Sequence, residues 1–192
     1  MPDRNDAALQ FLLTRRSRPS LTLTAPVPDR DQLTEILTAA ARTPDHGKLE
    51  PWRFIVLERP ALQRLAQTIP DIGTRLSIPD DKIAKQQSQF SAAHMAVVVV
   101  ESTVDSEKVP QIEQTYAVGG VCLALVNAAL AAGWGAQWLS GWASHAPLFS
   151  QQHLGLAAHE RIAGIIHIGT DTSTPPDRPR PDLDRITRWV SA

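Results

Sequence analysis

Arg42-Thr43-Pro44-Asp45-His46-Gly47-Lys48-Leu49-Glu50-Pro51-Trp52-Arg53-Phe54 decides how this chain is read. Before it, Leu33, Ile36, Leu37, Ala40 and Ala41 recur at helical spacing and make one apolar stripe. After it, Phe54-Ile55-Val56-Leu57 reads as a buried strand. Pro44 disfavours helix at Thr43 and removes a backbone donor, so the connection is a shaped, non-helical loop. Loops stiffened in this way between rigid elements are where binding chemistry concentrates. A polar turn between a helix and a strand accounts for the same residues.

The other elements follow outward. Asp6 is placed to cap a first helix carrying Leu9, Leu12 and Leu13, which ends in Arg15-Arg16-Ser17-Arg18 before Pro19. Cations in a last turn suit the helix dipole, and forked guanidiniums beside a hydroxyl equally suit a phosphate. Asp29 and Gln32 have capping-box spacing at the start of the second helix. Pro60 opens a short third helix with Leu62, Leu65, Ala66 and Ile69, and the stretch from Pro70 to Pro79 is expected to be irregular. Lys82 to Phe90 reads as a polar surface helix, and Ala96 to Val100 as a central strand covered on both faces. The longest helix runs from Gln111 to Ala132, apolar almost all round in its second half, with Gly133 as its terminator. Two-sided burial of that kind favours a subunit interface. Gly135 to Leu139 and Ile162 to Ile168 are further strands. Asp171 to Pro181 is a proline-rich arm, and Leu183 to Val190 a terminal amphipathic segment. No repeat or linker interrupts the pattern, which predicts a single α+β domain over residues 1–192, a sheet packed by helices, with residues 1–6 flexible.

Composition removes several function classes. Of 192 residues, 43% are hydrophobic and 20% charged, the balance of a soluble globular protein. A net charge of −1 carries no electrostatic footprint for nucleic acid or an anionic membrane. The apolar run Ala117 to Ala132 is shorter than the roughly 20 residues of a membrane span and contains Gly119, Gly120 and Asn127. The single cysteine, Cys122, excludes an internal disulfide or a multi-cysteine cluster, which fits a reducing, cytoplasmic compartment. Cys122 lies mid-helix among apolar residues, as inert packing does. The six histidines show no ligand spacing, so no metal site is expected. Dinucleotide and P-loop glycine patterns and the nucleophile elbow are also missing. What remains is paired arginines at the ends of elements, the proline-bracketed loop, and Trp52, Trp134, Trp138 and Trp142. Together these suggest a flat aromatic ligand with an anionic tail.

Arg15-Arg16-Ser17, Arg42-Thr43-Pro44-Asp45-His46 and Pro51-Trp52-Arg53-Phe54 resemble the FMN-dependent nitroreductases, most closely the compact YdjA-like subgroup. Gly133 to Gly141, Ile165 to Gly169 and Arg178-Pro179-Arg180-Pro181 extend the resemblance in order along nearly the whole chain. It implies a nitroreductase-like α+β fold, a central, mostly antiparallel sheet flanked by helices. It also implies a homodimer with FMN at the interface and no protein nucleophile. Carried over by position, Arg15, Arg16 and Ser17 hold the FMN phosphate and ribityl chain, with Arg180 as a further phosphate ligand. Arg42 and His46 contact the flavin, and Trp138, Leu139 and Ser140 line its other side. Ala128, Ala129, Leu130, Ala131, Ala132 and Gly133 lie where NAD(P)H is accepted. The activity implied is ping-pong hydride transfer from NAD(P)H through flavin N5 to a nitroaromatic, quinone or similar acceptor. Enone reduction, flavin fragmentation and a non-catalytic FMN carrier are the alternatives on the same scaffold. Lys48 and Glu50 stand where the family usually has Asn and Gln, and Lys48 is expected to supply a cation to the flavin's pyrimidine edge.

Overall fold

The computed structural model describes residues 3–191. Two short strands and three long ones form one antiparallel sheet: β1 (Leu23–Thr24), β2 (Trp52–Glu58), β3 (Met95–Glu101), β4 (Gly135–Leu139) and β5 (Arg161–Asp171). The path runs β1-β5-β3-β2, and β4 also pairs with β5. β5 is therefore the spine, with Ala96 opposite His167 on one side and Gln137 opposite the same His167 on the other. The central-strand expectation holds: every residue of β3 is buried.

Alternation along β3 divides the interior into two cores. Val98 and Val100 face α3 (Arg59–Arg75), α4 (Asp80–Ala92) and α6 (Pro147–Leu154), meeting Leu62, Ile69, Phe90 and Phe149. Val97 and Val99 face α2 (Arg30–Ala40) and α5 (Gln111–Ala131), meeting Ile36, Val118, Val121 and Leu125. α5 is long and apolar enough to pass as a membrane span. Its Val118, Val121, Cys122 and Leu125 are fully buried against the sheet, as in a core helix. Burial pushes the Cys122 thiol up to about 12, so it stays protonated and unreactive.

Several boundaries differ from those read in the sequence. α3 passes through Pro70 to Arg75, because its apolar stripe continues through Ile69 and Ile72 and anchors the turn that the proline weakens. α4 is no surface helix, since Ile83, Gln86 and Phe90 are buried. The strand after the opening loop is an edge strand, with only Leu57 fully buried, because nothing pairs with its outer side among the described residues. α1 (Asp6–Thr14) is capped by Asn5, whose side chain accepts from the Ala8 N–H at 3.0 Å, and Asp6 is its first residue. α6 escaped notice, since its eight residues carry little amphipathic pattern. The terminal segment forms only the single turn α7 (Leu183–Ile186). The capping box of α2 is present as expected. Residues 1, 2 and 192, the ends of the expected domain span, lie outside the described residues.

Candidate functional site

α1 stops where Arg15 turns extended, its N–H donating to Phe11 O at 2.8 Å. Two bonds then staple the following segment to β4. The Arg18 N–H donates to Ala136 O at 2.9 Å, and the Ser20 N–H to Gln137 Oε1 at 2.6 Å. Arg15, Arg16 and Ser17 are thereby held beside Trp138. The C-terminal arm returns over the turn before β1, where Thr172 Oγ1 donates to Thr22 O at 2.7 Å. Arg16 pairs with Asp177 and donates to Pro176 O, which brings Arg178 and Arg180 to the same place.

The result is a cavity of about 300 Å³ lined by Arg15, Arg16, Ser17, Trp138, Arg178 and Arg180, with Gln137 and two prolines completing it. Arg15 Nη2 donates to Ser17 Oγ at 3.1 Å, while Arg15 Nε is buried with no partner. A buried guanidinium nitrogen without an acceptor is costly unless an oxygen from outside completes it. Burial, and then the neighbouring Arg180, lower the pKa of Arg15. Burial followed by Arg180, Arg178, Arg18 and Arg15 does the same at Arg16. Mutual repulsion of this kind is relieved by a bound anion, and the buried donor, the arginine forks and the flat indole together fit a phosphate carried by an aromatic system.

Sequence reasoning missed Arg178 and Gln137. Arg178 and Arg180 share one face of an extended arm by their spacing of two, a signal that was present in the sequence. Gln137 carried no such signal, because its role comes from the staple to Ser20.

The other expected residues fall into three places. Leu139 ends β4 and Ser140 follows it, with Ser140 Oγ 3.2 Å from His145 Nε2; neither residue lines the arginine cavity. Trp138 also lines a second cavity of about 330 Å³, together with Thr115, His145 and Arg161. Arg42 and His46 line neither cavity. Arg42 is exposed beyond α2, and His46 Nδ1 sits 2.7 Å from Glu113 Oε2 in the first turn of α5. A single chain therefore does not join the opening loop to the arginines. Ala128 to Gly133 end α5 away from both cavities; Ala129 is fully buried, and Ala131, Ala132 and Gly133 are exposed.

Backbone strain marks the loop between Asp45 and Pro51. Gly47, Lys48 and Glu50 have φ of 79°, 55° and 48°. The Asp45 carboxylate holds the turn by accepting from the Leu49 N–H at 2.6 Å and the Glu50 N–H at 2.9 Å. Left-handed backbone at two residues with side chains costs about 1–2 kcal/mol each, and it persists where surrounding bonds fix it. Another cavity, about 710 Å³, lies between α2 and β2, and its apolar lining includes Leu33, Leu37, Val56 and Met95. Its Arg30, Arg59 and His94 share the lining with Asp29 and Glu58, and none of the arginines expected from the sequence to hold phosphate reaches it.

Residues 12–170 match the Nitroreductase family. The chain is 31% identical over 163 residues to the Escherichia coli (strain K12) protein named "Putative NAD(P)H nitroreductase YdjA", covering 85% of this chain and 87% of that one. Its fold matches a nitroreductase-like family protein from Bacillus cereus with a TM-score of 0.80, at 23% identity and full coverage of both chains. It also matches a structure from Desulfovibrio desulfuricans, described as a "putative nitroreductase in complex with fmn", with a TM-score of 0.75 at 19% identity, covering 98% of this chain and 99% of the other.

Proposed function

Because this chain belongs to the Nitroreductase family, and is therefore an oxidoreductase, we propose that it binds FMN at the arginine cavity and moves hydride from NAD(P)H to an electron-poor acceptor. The observation that carries this reading is the buried, unpartnered Nε of Arg15 among Arg16, Arg178 and Arg180, beside an indole. FMN, when bound, supplies hydride acceptance and donation at N5, in the two half-reactions of a ping-pong cycle. The chain's own residues then have simpler tasks. The arginines and Ser17 hold the phosphate, Trp138 to Ser140 border the ring system, and the acceptor is a nitroaromatic, a quinone or a comparable compound.

The site is completed by a second copy of the chain. Leu9, Leu12 and Leu13 of α1 and Ile112, Tyr116 and Leu123 of α5 are exposed, and α1 buries none of its residues against its own chain. An exposed apolar set of this extent marks a surface that a partner covers. In the homodimer we propose, Arg42 and His46 of one protomer reach the flavin held by the other's arginines. Of the segment assigned to NAD(P)H, the exposed Ala131, Ala132 and Gly133 are the positions able to meet it directly.

The test is the purified protein's visible spectrum and thermal stability. A flavin absorbance equivalent to one FMN per chain, with added FMN raising the stability of stripped protein, is the result expected. A colourless protein that FMN does not stabilise contradicts the reading.

A further inference from the structure

We propose that Glu113 is a positioning residue for the cofactor, acting through His46. It holds the imidazole so that Nε2 is presented as a hydrogen-bond acceptor to the flavin of the second copy. The bond itself is short, with His46 Nδ1 2.7 Å from Glu113 Oε2. A carboxylate only accepts, so the proton of that bond sits on Nδ1. In the neutral ring Nε2 is then the bare nitrogen, on the side of the ring away from Glu113.

Stability does not account for this arrangement. The His46 side chain is 60% exposed and that of Glu113 44%, and so wet an ion pair contributes little. The chain on either side of His46 is nevertheless fixed. Asp45 clamps the left-handed turn through the Leu49 and Glu50 N–H groups. Gly47 lies on Val109, where a Cβ would come 3.2 Å from Val109 Cγ2. Val109 is buried and donates its N–H to Ser106 Oγ at 3.1 Å. The buried Gln114 ties this second loop to α5, accepting from the Val104 N–H at 2.9 Å and donating to Val104 O at 2.8 Å. Glu113 precedes Gln114 in the first turn of α5, where the helix dipole favours a carboxylate. Loop and helix end are locked together with the imidazole between them. Backbone strain retained by such bonds around an exposed group is characteristic of a ligand clamp. Ile112 and Tyr116, on either side of Glu113 along α5, belong to the exposed apolar set assigned above to the dimer, so His46 stands at its rim. The flavin donors able to meet a bare nitrogen there are a ribityl hydroxyl and the imide N–H of the ring.

That Nε2 meets a flavin rests on the function proposed above; that Glu113 sets the tautomer does not. The first measurement is nitrogen-15 NMR of the imidazoles in flavin-stripped protein, with His46 assigned by its disappearance in His46→Asn. A single Nδ1–H tautomer is expected for neutral His46, and a mixture in Glu113→Gln, whose amide both donates and accepts. The second measurement is titration with FMN, riboflavin and lumiflavin. Asparagine places an amide N–H near the position of Nδ1, so His46→Asn keeps the bond to Glu113 and lacks Nε2. It is expected to weaken FMN and riboflavin by the same factor, about three- to tenfold, the scale of one hydrogen bond. Glu113→Gln is expected to weaken both by a smaller factor, at least about twofold, set by the fraction of rings in the wrong tautomer. The double variant is expected to be no weaker than His46→Asn alone, because Glu113 acts only through His46. Lumiflavin, which lacks the ribityl chain, separates the donors. Unchanged lumiflavin binding in His46→Asn assigns Nε2 to a ribityl hydroxyl, and a loss equal to that of riboflavin assigns it to the ring N–H. A parent His46 that is Nε2–H or mixed, or losses that add in the double variant, overturns the proposal. Protein that binds FMN with an affinity Glu113→Gln leaves intact refutes the positioning role alone. Protein that binds no flavin while His46 stays a single Nδ1–H tautomer refutes the cofactor assignment, and with it the partner of Nε2, but not the hold of Glu113 on the ring.

Discussion

The indole of Trp138 lies against the bare backbone of Gly164, so closely that a Cβ at residue 164 would come within 2.1 Å of Nε1. The contact follows from sheet register. Trp138 pairs with Ile166 on β5, and Gly164 is two residues back on the same face. A glycine here lets a large side chain lie across the strand and border both cavities at once. Gly164→Ala is therefore expected to displace Trp138, to cost about 1–3 kcal/mol of stability through overpacking, and to weaken FMN retention while every arginine remains. Denaturant unfolding and flavin content of the variant check this. A variant with unchanged flavin content would show that Trp138 does not shape the cofactor site.

Asp177 pairs with Arg16 and lies 3.4 Å from Arg180, so one carboxylate occupies the charge partners that a phosphate would use. Arg16→Ala and Asp177→Asn should therefore move FMN affinity in opposite directions. Arg16→Ala is expected to weaken FMN by about tenfold or more while riboflavin, which lacks the phosphate, changes little. Asp177→Asn removes the competing anion and is expected to tighten FMN by about a few-fold. Equilibrium titration of stripped protein with both flavins measures each. Equal loss of FMN and riboflavin in Arg16→Ala would sink the phosphate assignment.

Lys48 is held at φ 55° in the loop clamped by Asp45. Alanine at this position would bear the same backbone cost, so Lys48→Ala isolates the side chain. If Lys48 lies at the flavin's pyrimidine edge across the proposed dimer, its loss is expected to lower the FMN midpoint potential, since a nearby cation favours the anionic reduced form. A potential identical to that of the parent protein would return Lys48 to the solvated loop.

His167 predicts the pH dependence of stability. It is 3% exposed at the middle of β5, its Nδ1 has no partner, and burial pushes its pKa down from 6.5 to about 4. The unfolded chain therefore takes up this proton first as pH falls. The stability associated with neutral His167 is fully present above pH 6.5 and is lost between there and about 4, by up to about 3 kcal/mol. Glu160, held down at about 2 chiefly by its hydrogen bond from Arg53, adds its own loss only below its ordinary value of 4.5. Urea unfolding between pH 7 and 4 should show that slope, and His167→Leu should flatten it. A parent protein equally stable at both ends would contradict the assignment.

How much could be read beforehand depended on whether the signal was local. The α+β class, β3, the capping box of Asp29 and Gln32, and the terminator Gly133 all follow from short-range periodicity or one backbone position, and all are present. Pro70 misled because a proline signals a break locally, while the stripe through Ile69 and Ile72 that holds α3 together depends on the sheet. At the site, Arg15, Arg16, Ser17, Trp138 and Arg180 meet in one cavity although they come from three distant segments. That convergence was reached through a family resemblance, since no spacing rule links an N-terminal helix end to a C-terminal arm. Glu101 and Arg161 left no mark in the sequence, because their contact is made by the pairing of β3 with β5.

The most direct test of the central claim is anaerobic mixing of the FMN-loaded protein with NADH and with NADPH in a stopped-flow spectrophotometer, followed by a quinone or nitroaromatic. Rapid bleaching of the flavin absorbance by at least one nucleotide, and its return when acceptor is added, is the result predicted. Flavin that stays oxidised with both nucleotides would contradict the account and leave the protein an FMN carrier.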